Sequence, residues 1–154
     1  MKFIADIMVG KLAKYLRMAG YDVLYDNNIS DEEILNTAKN AGRIVLTRDS
    51  IMLRRRECRQ NIIKSMLIRD DKLTKQLQQV KEDLKIELKP NLVRCLECNS
   101  ILLSIKKEEV ENKVPPYVFK TQNTFLFCPK CSKYYWRGTH FESISKAFKT
   151  INSQ

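Results

Sequence analysis

The sequence predicts an α/β fold, in which a parallel sheet packs against helices, joined to a small C-terminal zinc-ribbon module. Short apolar runs alternate with helical patterns through residues 1–89, and two C-x-x-C pairs follow after residue 90. Strands that alternate with helices through short loops form a parallel sheet covered on both faces. We therefore expect an α/β domain at residues 1–89 and a zinc ribbon with a C-terminal helix at residues 90–154.

The first part of the chain alternates between strand and helix patterns. Residues 2–6 and 21–25 predict strands, and the helix between them ends at Gly20. Residues 30–33, Ser-Asp-Glu-Glu, predict a capping box that begins a helix ending at Gly42. The remaining predicted elements are a strand at 43–47, a basic helix from 49 onward, a strand at 61–68, and a helix with Leu73, Leu77, Val80 and Leu84 on its apolar face.

The pattern changes at Arg94, after which short strands are expected around the two cysteine pairs. Val114-Pro115-Pro116 interrupts regular structure between the pairs because proline cannot donate a backbone hydrogen bond. Thr139-His140-Phe141-Glu142 predicts a second capping box at the start of a final helix. The apolar face of that helix carries Phe141, Ile144, Ala147 and Phe148.

Four cysteines supply a complete tetrahedral thiolate shell. Cys95 pairs with Cys98 and Cys128 pairs with Cys131, and a two-residue spacer lets both sulfurs of a pair reach one ion at about 2.3 Å. Two disulfides are the alternative, but the first residues do not resemble a secretory signal and Cys58 would remain unpaired. We therefore predict one structural Zn²⁺. Cys58 lies beside four arginines and could be a reactive thiol, although a lone cysteine is more often inert.

The formal net charge of +10 is spread over both parts of the chain. Residues 1–89 hold 18 basic and 13 acidic side chains and residues 90–154 hold 10 and 5, so each part carries +5. A basic protein of this kind favours nucleic acid as a partner, although ordinary solvated faces would give the same composition. The basic side chains expected to hold RNA are Lys11, Lys14, Arg17, Arg48, Arg54, Arg55, Arg56 and Arg59.

Membrane association is not expected from the composition. No apolar run approaches the roughly 18 residues of a membrane span. The absence of a recognisable targeting segment predicts a cytoplasmic protein.

Acidic side chains follow several of the predicted strands. Ligands bind at the carboxyl ends of parallel strands, especially where the strand order reverses. Asp6 ends the first strand and Asp49 follows the third, so their carboxylates converge if the chain returns across the first strand. The other acids expected at this edge are Asp31 and Glu32, which begin the second helix, and Asp70 and Asp71, which follow the fourth strand.

Converging carboxylates repel one another unless a cation neutralises them. Oxygen ligands suit Mg²⁺ or Mn²⁺ rather than zinc, and such sites activate water for attack on a phosphodiester. Structural interpretations remain open for single residues, because Asp31 and Glu32 favour a helix dipole and Asp49 could cap its helix. The combination of acids with a basic surface favours a nuclease.

Several stretches, taken in order, resemble a known family. The first two are Asp6-x-x-x-Gly10-Lys11-Leu12-Ala13 and Asp31 with Ile34, Leu35 and Ala38, and the third is Arg43 to Asp49. They resemble the PIN-like RNase domain named after the C-terminus of the Mut-seven exonuclease. In that family a zinc ribbon follows the PIN-like domain, and the segments that fit it are the cysteine pairs, Val114-Pro115 and Tyr135-Trp136-x-Gly138-x-His140.

This resemblance, which covers nearly the whole chain, implies a PIN-like three-layer fold and a metal-dependent ribonuclease. It implies catalytic acids at Asp6, Asp31 and Asp49, with a fourth near Asp70 or Asp71. We expect an endoribonuclease that cleaves RNA, with ribosomal RNA or tRNA as the candidate RNA partner. The alternative is a non-catalytic RNA-binding protein, such as a ribosome-associated factor, whose ribbon forms part of a basic docking surface.

The sequence leaves the roles of several residues near the C-terminus open between structure and RNA binding or catalysis. His140, the only histidine, could hold the ribbon against the first domain, bind a phosphate or reach the acids. Tyr134, Tyr135 and Trp136 could stack on unpaired bases or pack the core of the ribbon.

Overall fold

The computed structural model describes all 154 residues and contains a four-stranded sheet near the N-terminus. The strands are β1 (Lys2–Ala5), β2 (Asp22–Leu24), β3 (Ile44–Thr47) and β4 (Ser65–Leu67). All pairings are parallel and the order is β2-β1-β3-β4, so the strand order reverses between β1 and β3. The predicted α/β class is confirmed.

Six α-helices accompany the two sheets of the protein. Four lie in the first part: α1 (Gly10–Met18), α2 (Asp31–Ala41), α3 (Arg56–Arg59) and α4 (Leu73–Leu84). The ribbon part contains α5 (Pro116–Thr121) and the final helix α6 (Thr139–Asn152). None of the helices combines the length and the apolar composition needed to cross a bilayer.

Side chains of the parallel sheet alternate between two hydrophobic cores. Phe3 and Leu46 belong to the larger core, which includes buried residues of α1, α4 and α6. Ile4 and Val45 belong to the smaller core, which includes the apolar face of α2. Because successive side chains of a strand point to opposite faces, the sheet lies between two helical layers.

The ribbon part forms a small antiparallel sheet. Its strands are β5 (Leu103–Ile105), β6 (Phe125–Phe127) and β7 (Tyr134–Tyr135), in the order β5-β6-β7. A third cluster of buried residues, Val110, Val114 and Phe125, packs beneath this sheet together with partly buried aromatic rings.

Residues on both sides of position 90 belong to the larger hydrophobic core. Leu88 and Leu92 are buried, and the Asn91 amide donates a hydrogen bond to the Met18 carbonyl at 2.8 Å. In α6, Phe148 is fully buried and its ring packs in a T-shaped arrangement with that of Tyr15, with 6.2 Å between centroids. The division into residues 1–89 and 90–154 stays a prediction about the chain, and the two parts share one hydrophobic core.

Two predicted capping boxes have different outcomes. Ser30 and Glu33 cap each other's backbone amides at the start of α2, and Gly42 ends that helix in the left-handed conformation, as predicted. At α6, the cap residue is Gly138 rather than Thr139, and no side chain caps the helix. A Cβ on Gly138 would lie 2.7 Å from the Trp136 indole nitrogen, so the close approach of this ring requires glycine there.

Two further elements differ from the sequence-based prediction. The basic helix expected from residue 49 is instead a 3₁₀ turn, Met52–Arg54, and the short α3, because the backbone at Arg55 is extended between them. In these two turns only Met52 and Cys58 are buried. Two buried side chains provide too little packing to stabilise a longer helix that contains several arginines. Helix α5 was not predicted; Pro116 occupies its first turn, where the missing amide hydrogen costs nothing.

Candidate functional site

The four cysteines of the ribbon form one compact cluster. The sulfurs of Cys95, Cys98, Cys128 and Cys131 all lie within 4.8 Å of one another, and Cys98 Sγ lies 3.4 Å from Cys128 Sγ. A tetrahedron with zinc–sulfur bonds of 2.3 Å has edges of about 3.8 Å, so the arrangement fits a single zinc ion. All five cysteines of the protein are free thiols, which does not support the disulfide alternative.

The same local turn presents both cysteine pairs. In each pair, the amide of the residue after the second cysteine donates to the carbonyl of the first: Asn99 to Cys95 at 2.9 Å and Ser132 to Cys128 at 2.8 Å. Asn99 and Ser132 both have positive φ, 68° and 56°, which closes each turn tightly. The two C-x-x-C turns, which we call the first and second knuckles, therefore have similar backbone conformations although their spacer residues differ.

The electrostatics of the cluster favour a bound cation. Burial raises the pKa of the Cys98 thiol, but hydrogen bonds with Ser100 and the neighbouring cysteines outweigh burial and bring this pKa to about 6. The pKa of Cys131 rises to about 12, first through its hydrogen bond with Cys98. Crowded sulfurs thus oppose each other's ionisation, and a divalent ion that accepts all four as thiolates removes the conflict.

A tyrosine and an arginine lie next to the sulfurs. Tyr135 Oη lies 3.1 Å from Cys95 Sγ and accepts a hydrogen bond from the Leu96 amide at 3.2 Å. Arg17, only 1% exposed, donates to the carbonyls of Leu96 at 2.8 Å and Glu97 at 3.0 Å. Its positive charge would offset part of the excess negative charge of four thiolates around one Zn²⁺.

Arg17 and Asn99 also connect the first knuckle to the edge strand β2. Arg17 Nε donates to the Val23 carbonyl at 2.9 Å, and Asn99 Oδ1 accepts from the Val23 amide at 3.0 Å. Asn99 Nδ2 donates to the Asp22 carboxylate at 2.8 Å. The structure therefore gives Arg17 a buried structural role through Nε and Nη1. Its contact with RNA stays a prediction.

A second candidate site lies at the carboxyl ends of β1 and β3. Asp6, directly after β1, is 4% exposed; its carboxylate accepts from the Met8 amide at 2.7 Å and from the Thr47 hydroxyl. Thr47 Oγ1 in turn accepts from the Asp49 amide at 2.9 Å. Thr47, fully buried, thus holds the Asp6 side chain and the Asp49 backbone in a fixed relation.

Asp6, Asp31 and Asp49 line one small cleft of about 140 Å³, which we call the acid cleft. Asp31 comes from the first turn of α2, and Asp49 Oδ1 accepts from the Ile51 amide at 2.8 Å. The remaining walls are apolar: Ile7, Met8, Ile29 and Ile34. The carboxylates lie farther apart than the sulfurs. The ligand atoms of the four cysteines all lie within 4.8 Å of one another, and those of the three acids do not.

The three additional acids do not line the acid cleft. Glu32 is an exposed residue in the first turn of α2. Asp70 accepts from the Lys72 amide at 2.8 Å, and this hydrogen bond is the main reason that its pKa is lowered. Asp71 lines a neighbouring cleft instead.

That neighbouring cleft, the basic cleft, has a volume of about 980 Å³. Lys11 and Lys14 of α1, Arg48 after β3 and His140 of α6 line it. Its wall includes Ile7 and Met8, which also line the acid cleft, so the two clefts adjoin. Lys14 is partly neutralised by an exposed ion pair with Glu97 at 2.8 Å.

The arginine-rich segment forms a surface of its own. Arg54, Arg56 and Arg59 line a separate cleft of about 320 Å³, and Arg55 is exposed beside them. Cys58 is 5% exposed and packs in the smaller core, consistent with a structural thiol.

Three residues that shape these sites were not identified from the sequence. The sequence patterns assign no role to Thr47 or Asn99, and they indicate Tyr135 only as an aromatic residue. A hydroxyl two residues before an acid is a weak signal for a backbone contact. The contacts of Tyr135 with Cys95 and of Asn99 with Val23 span 40 and 76 positions, so no local pattern could indicate them.

Comparison with family models agrees with the resemblance found in the sequence. The Mut7-C RNAse domain matches residues 1–148, nearly the whole chain. No curated protein and no solved structure matches the chain.

Proposed function

Because the chain belongs to the Mut7-C RNAse domain family, we propose that it is a metal-dependent endoribonuclease whose catalytic centre is the acid cleft. The observation that carries the proposal is the convergence of Asp6, Asp31 and Asp49 on one cleft at the point where the strand order reverses. In open α/β sheets this position is the usual place of ligand binding.

The chemistry of the cleft supports hydrolysis of a phosphodiester. Its carboxylate oxygens are the donors that Mg²⁺ or Mn²⁺ prefers, and a bound ion would supply charge neutralisation and activation of water. Asp6 has the most firmly oriented carboxylate of the three, since the Met8 amide and the Thr47 hydroxyl each donate a hydrogen bond to one of its oxygens. Asp31 and Asp49 are more accessible and complete the ligand set.

The adjoining basic cleft provides the electrostatic part of the proposal. Lys11, Lys14 and Arg48 would hold substrate phosphates next to the acids, and the Arg54–Arg59 segment would extend this contact on the neighbouring surface. In this scheme the cysteine cluster binds structural zinc and takes no part in the reaction. RNA is the proposed substrate, and the cytoplasm is the proposed compartment.

The test compares cleavage of a circular single-stranded RNA by the wild type and by Asp6→Asn and Asp49→Asn in Mn²⁺. A circular RNA has no ends, so its cleavage identifies an endonuclease. We expect kcat to fall roughly 100-fold or more in both variants, because even outer-shell changes typically cost 10–100-fold. Asp83→Asn, which removes an exposed carboxylate paired with Arg69, is the matched control and should retain full activity.

The alternative function is non-catalytic RNA binding, as in a ribosome-associated factor. It is favoured by the looser gathering of the acids compared with the cysteines and by the net charge of +10. In that case the wild type would bind the circular RNA and leave it intact with Mn²⁺ or Mg²⁺. Activity that is equal in the wild type and both acid variants would also contradict the catalytic proposal.

A further inference from the structure

The acid cleft, the basic cleft and two clefts on the ribbon form a continuous track. Ile7 and Met8 line both the acid cleft and the basic cleft. Glu97 and His140 line both the basic cleft and a third cleft of about 330 Å³ on the ribbon. A strand of RNA with a phosphodiester at the acids could therefore follow the basic cleft and reach the ribbon without leaving a concave surface.

At its ribbon end the track opens onto aromatic side chains. The 330 Å³ cleft adjoins another of about 400 Å³, because both are lined by Tyr134, Tyr135, Trp136 and His140. We call the surface formed by Tyr117, Tyr134, Trp136 and Phe141 the aromatic groove; Tyr117, Trp136 and Phe141 line the larger cleft, and Tyr134 lines both.

The aromatic groove contains more aromatic surface than the ribbon core uses. Trp136 packs against Phe125 with 6.4 Å between ring centroids, but it also lines both ribbon clefts. Tyr117 is 76% exposed, the highest exposure among the large apolar and aromatic side chains left at the surface. An exposed aromatic ring beside an open apolar cleft contributes little to folding and is available to a ligand.

The charges around the groove indicate which ligand it fits. Lys113 and Lys133 are exposed residues of its 330 Å³ part, and the Lys113 ammonium lies 6.0 Å from the centroid of Tyr134. Arg137 lies 5.2 Å over the ring of Phe141. Glu97 is the single acid in the lining; it is paired with Lys14 at 2.8 Å and approached by Lys133 at 4.0 Å. Flat apolar rings with cations beside them match the bases and phosphates of a single strand.

We propose that the aromatic groove binds an unpaired nucleobase of the RNA that lies along the basic cleft. This inference rests on the proposed function and extends it, since it gives the ribbon its own substrate contact and makes single-stranded RNA the preferred substrate. The base stacks on the exposed aromatic rings, and Lys113 and Lys133 bind the flanking phosphates. Duplex RNA is excluded because paired bases cannot expose their faces to a ring.

Trp136 permits a direct test because it is the only tryptophan of the chain. We expect a 12-nucleotide single-stranded RNA to quench its fluorescence in a saturable way, without added Mn²⁺ or Mg²⁺. A duplex of the same sequence should quench little at the same concentration. A free tryptophan derivative titrated in parallel corrects for absorption by the RNA.

Two variants connect the fluorescence signal to the groove. Tyr117→Ala should weaken the affinity for the single strand roughly 5- to 150-fold, because a stacked base typically contributes that much. Lys113→Gln should reduce the slope of log affinity against log salt concentration by about the amount that one phosphate contact contributes. The matched controls are Ile62→Ala, an apolar residue that is 54% exposed and lies outside the track, and Lys39→Gln, an exposed lysine of α2.

The outcomes separate this inference from the proposed function. A quenching curve that shifts to higher RNA concentration in Tyr117→Ala and stays at the wild-type position in Ile62→Ala supports the inference even if no RNA is cleaved. Binding of the single strand, followed by its anisotropy, without a change in Trp136 fluorescence would overturn it, even if cleavage is normal; the groove would then suit a protein segment. Equal quenching by duplex and single strand would overturn it as well.

Discussion

The cysteine cluster and the acid cleft differ in how tightly the fold gathers their side chains. The four sulfurs lie within 4.8 Å of one another, and hydrogen bonds within each knuckle position them. The three carboxylates share a cleft of about 140 Å³, but only Asp6 is both buried and held on two oxygens. The first arrangement suits an ion that is part of the folded structure, and the second suits ions that arrive with a substrate.

This difference follows from the chemistry of the two ligand types. A closed site of four thiolates leaves no position for a substrate, whereas carboxylates around an open cleft leave positions for water and phosphate oxygens. The neighbours of the two sites also differ. Cys95 and Cys128 belong to the larger hydrophobic core, while the acid cleft lies at the edge of the sheet. Damage to the cluster should therefore affect stability, and damage to the cleft should affect activity.

The largest effect is expected from Cys128→Ser, which removes one sulfur of the cluster. Structural zinc in a four-cysteine site contributes on the order of 10 kcal/mol, comparable to the whole stability of a domain. Because Cys128 lies in the core shared by both parts, we expect the entire protein to unfold cooperatively, including the parallel sheet. Circular dichroism and zinc content measure the two consequences.

Cys58→Ala is the matched control, since Cys58 is buried in the smaller core and belongs to no metal cluster. We expect it to keep one zinc per chain and to lose only about 1 kcal/mol of stability. A Cys128→Ser protein that keeps a cooperative unfolding transition near the wild-type temperature would contradict a structural role for the cluster.

An intermediate effect is expected from Arg17→Met, which removes one of the two side chains that connect the first knuckle to β2. The carbonyls of Val23, Leu96 and Glu97 would lose their donor inside the protein. Two buried acceptors and one partly buried acceptor without partners should lower the free energy of unfolding by about 3 kcal/mol. Chemical denaturation measures this loss, and zinc content shows whether the cluster survives.

Lys14→Met makes the same change of charge on the same helix, but its ion pair with Glu97 is exposed. Exposed pairs contribute roughly 0–1 kcal/mol, so this control should remain near the wild type. If Arg17→Met and Lys14→Met were equally stable, Arg17 would not couple the ribbon to the sheet.

The smallest effect on stability is expected from Thr47→Val, which tests the acid cleft. The substitution keeps the shape of the side chain but removes the hydroxyl between Asp6 and the Asp49 amide. We expect the free energy of unfolding to fall by about 1–2 kcal/mol. The concentration of Mn²⁺ that gives half-maximal RNA cleavage should rise roughly 10-fold or more, because Thr47 positions a proposed ligand.

Thr47→Ser supplies the conservative control, since serine keeps the hydroxyl and loses only the methyl group. Rescue of the Mn²⁺ dependence by serine would separate positioning of Asp6 from a general loss of packing. Thr47→Val and Thr47→Ser proteins with the same Mn²⁺ dependence would contradict the positioning role.

Local patterns predicted the elements that depend on neighbours in sequence. The capping box at Ser30, the left-handed end at Gly42 and the helix at Leu73–Leu84 all match the prediction, because each requires residues only a few positions apart. The capping box predicted at Thr139 is wrong by one residue, because Gly138 is the cap of α6 and no side chain caps the helix. A Thr-x-x-Glu pattern permits a capping box but does not determine how the preceding chain, with the Trp136 indole close to Gly138, enters the helix.

The sequence alone determined the class of fold, the four cysteines of the cluster and the family, because periodic apolar residues, C-x-x-C spacing and ordered motifs are properties of the chain. It also predicted the convergence of Asp6 and Asp49, given the rule for parallel sheets. The tertiary structure decided which basic residues face solvent, that Arg17 is buried, that the ribbon shares the core of the first domain, and that the acid cleft, the basic cleft and the two ribbon clefts adjoin. These properties depend on contacts between residues far apart in the chain, such as Arg17 with Leu96, and such contacts exist only once the chain has packed.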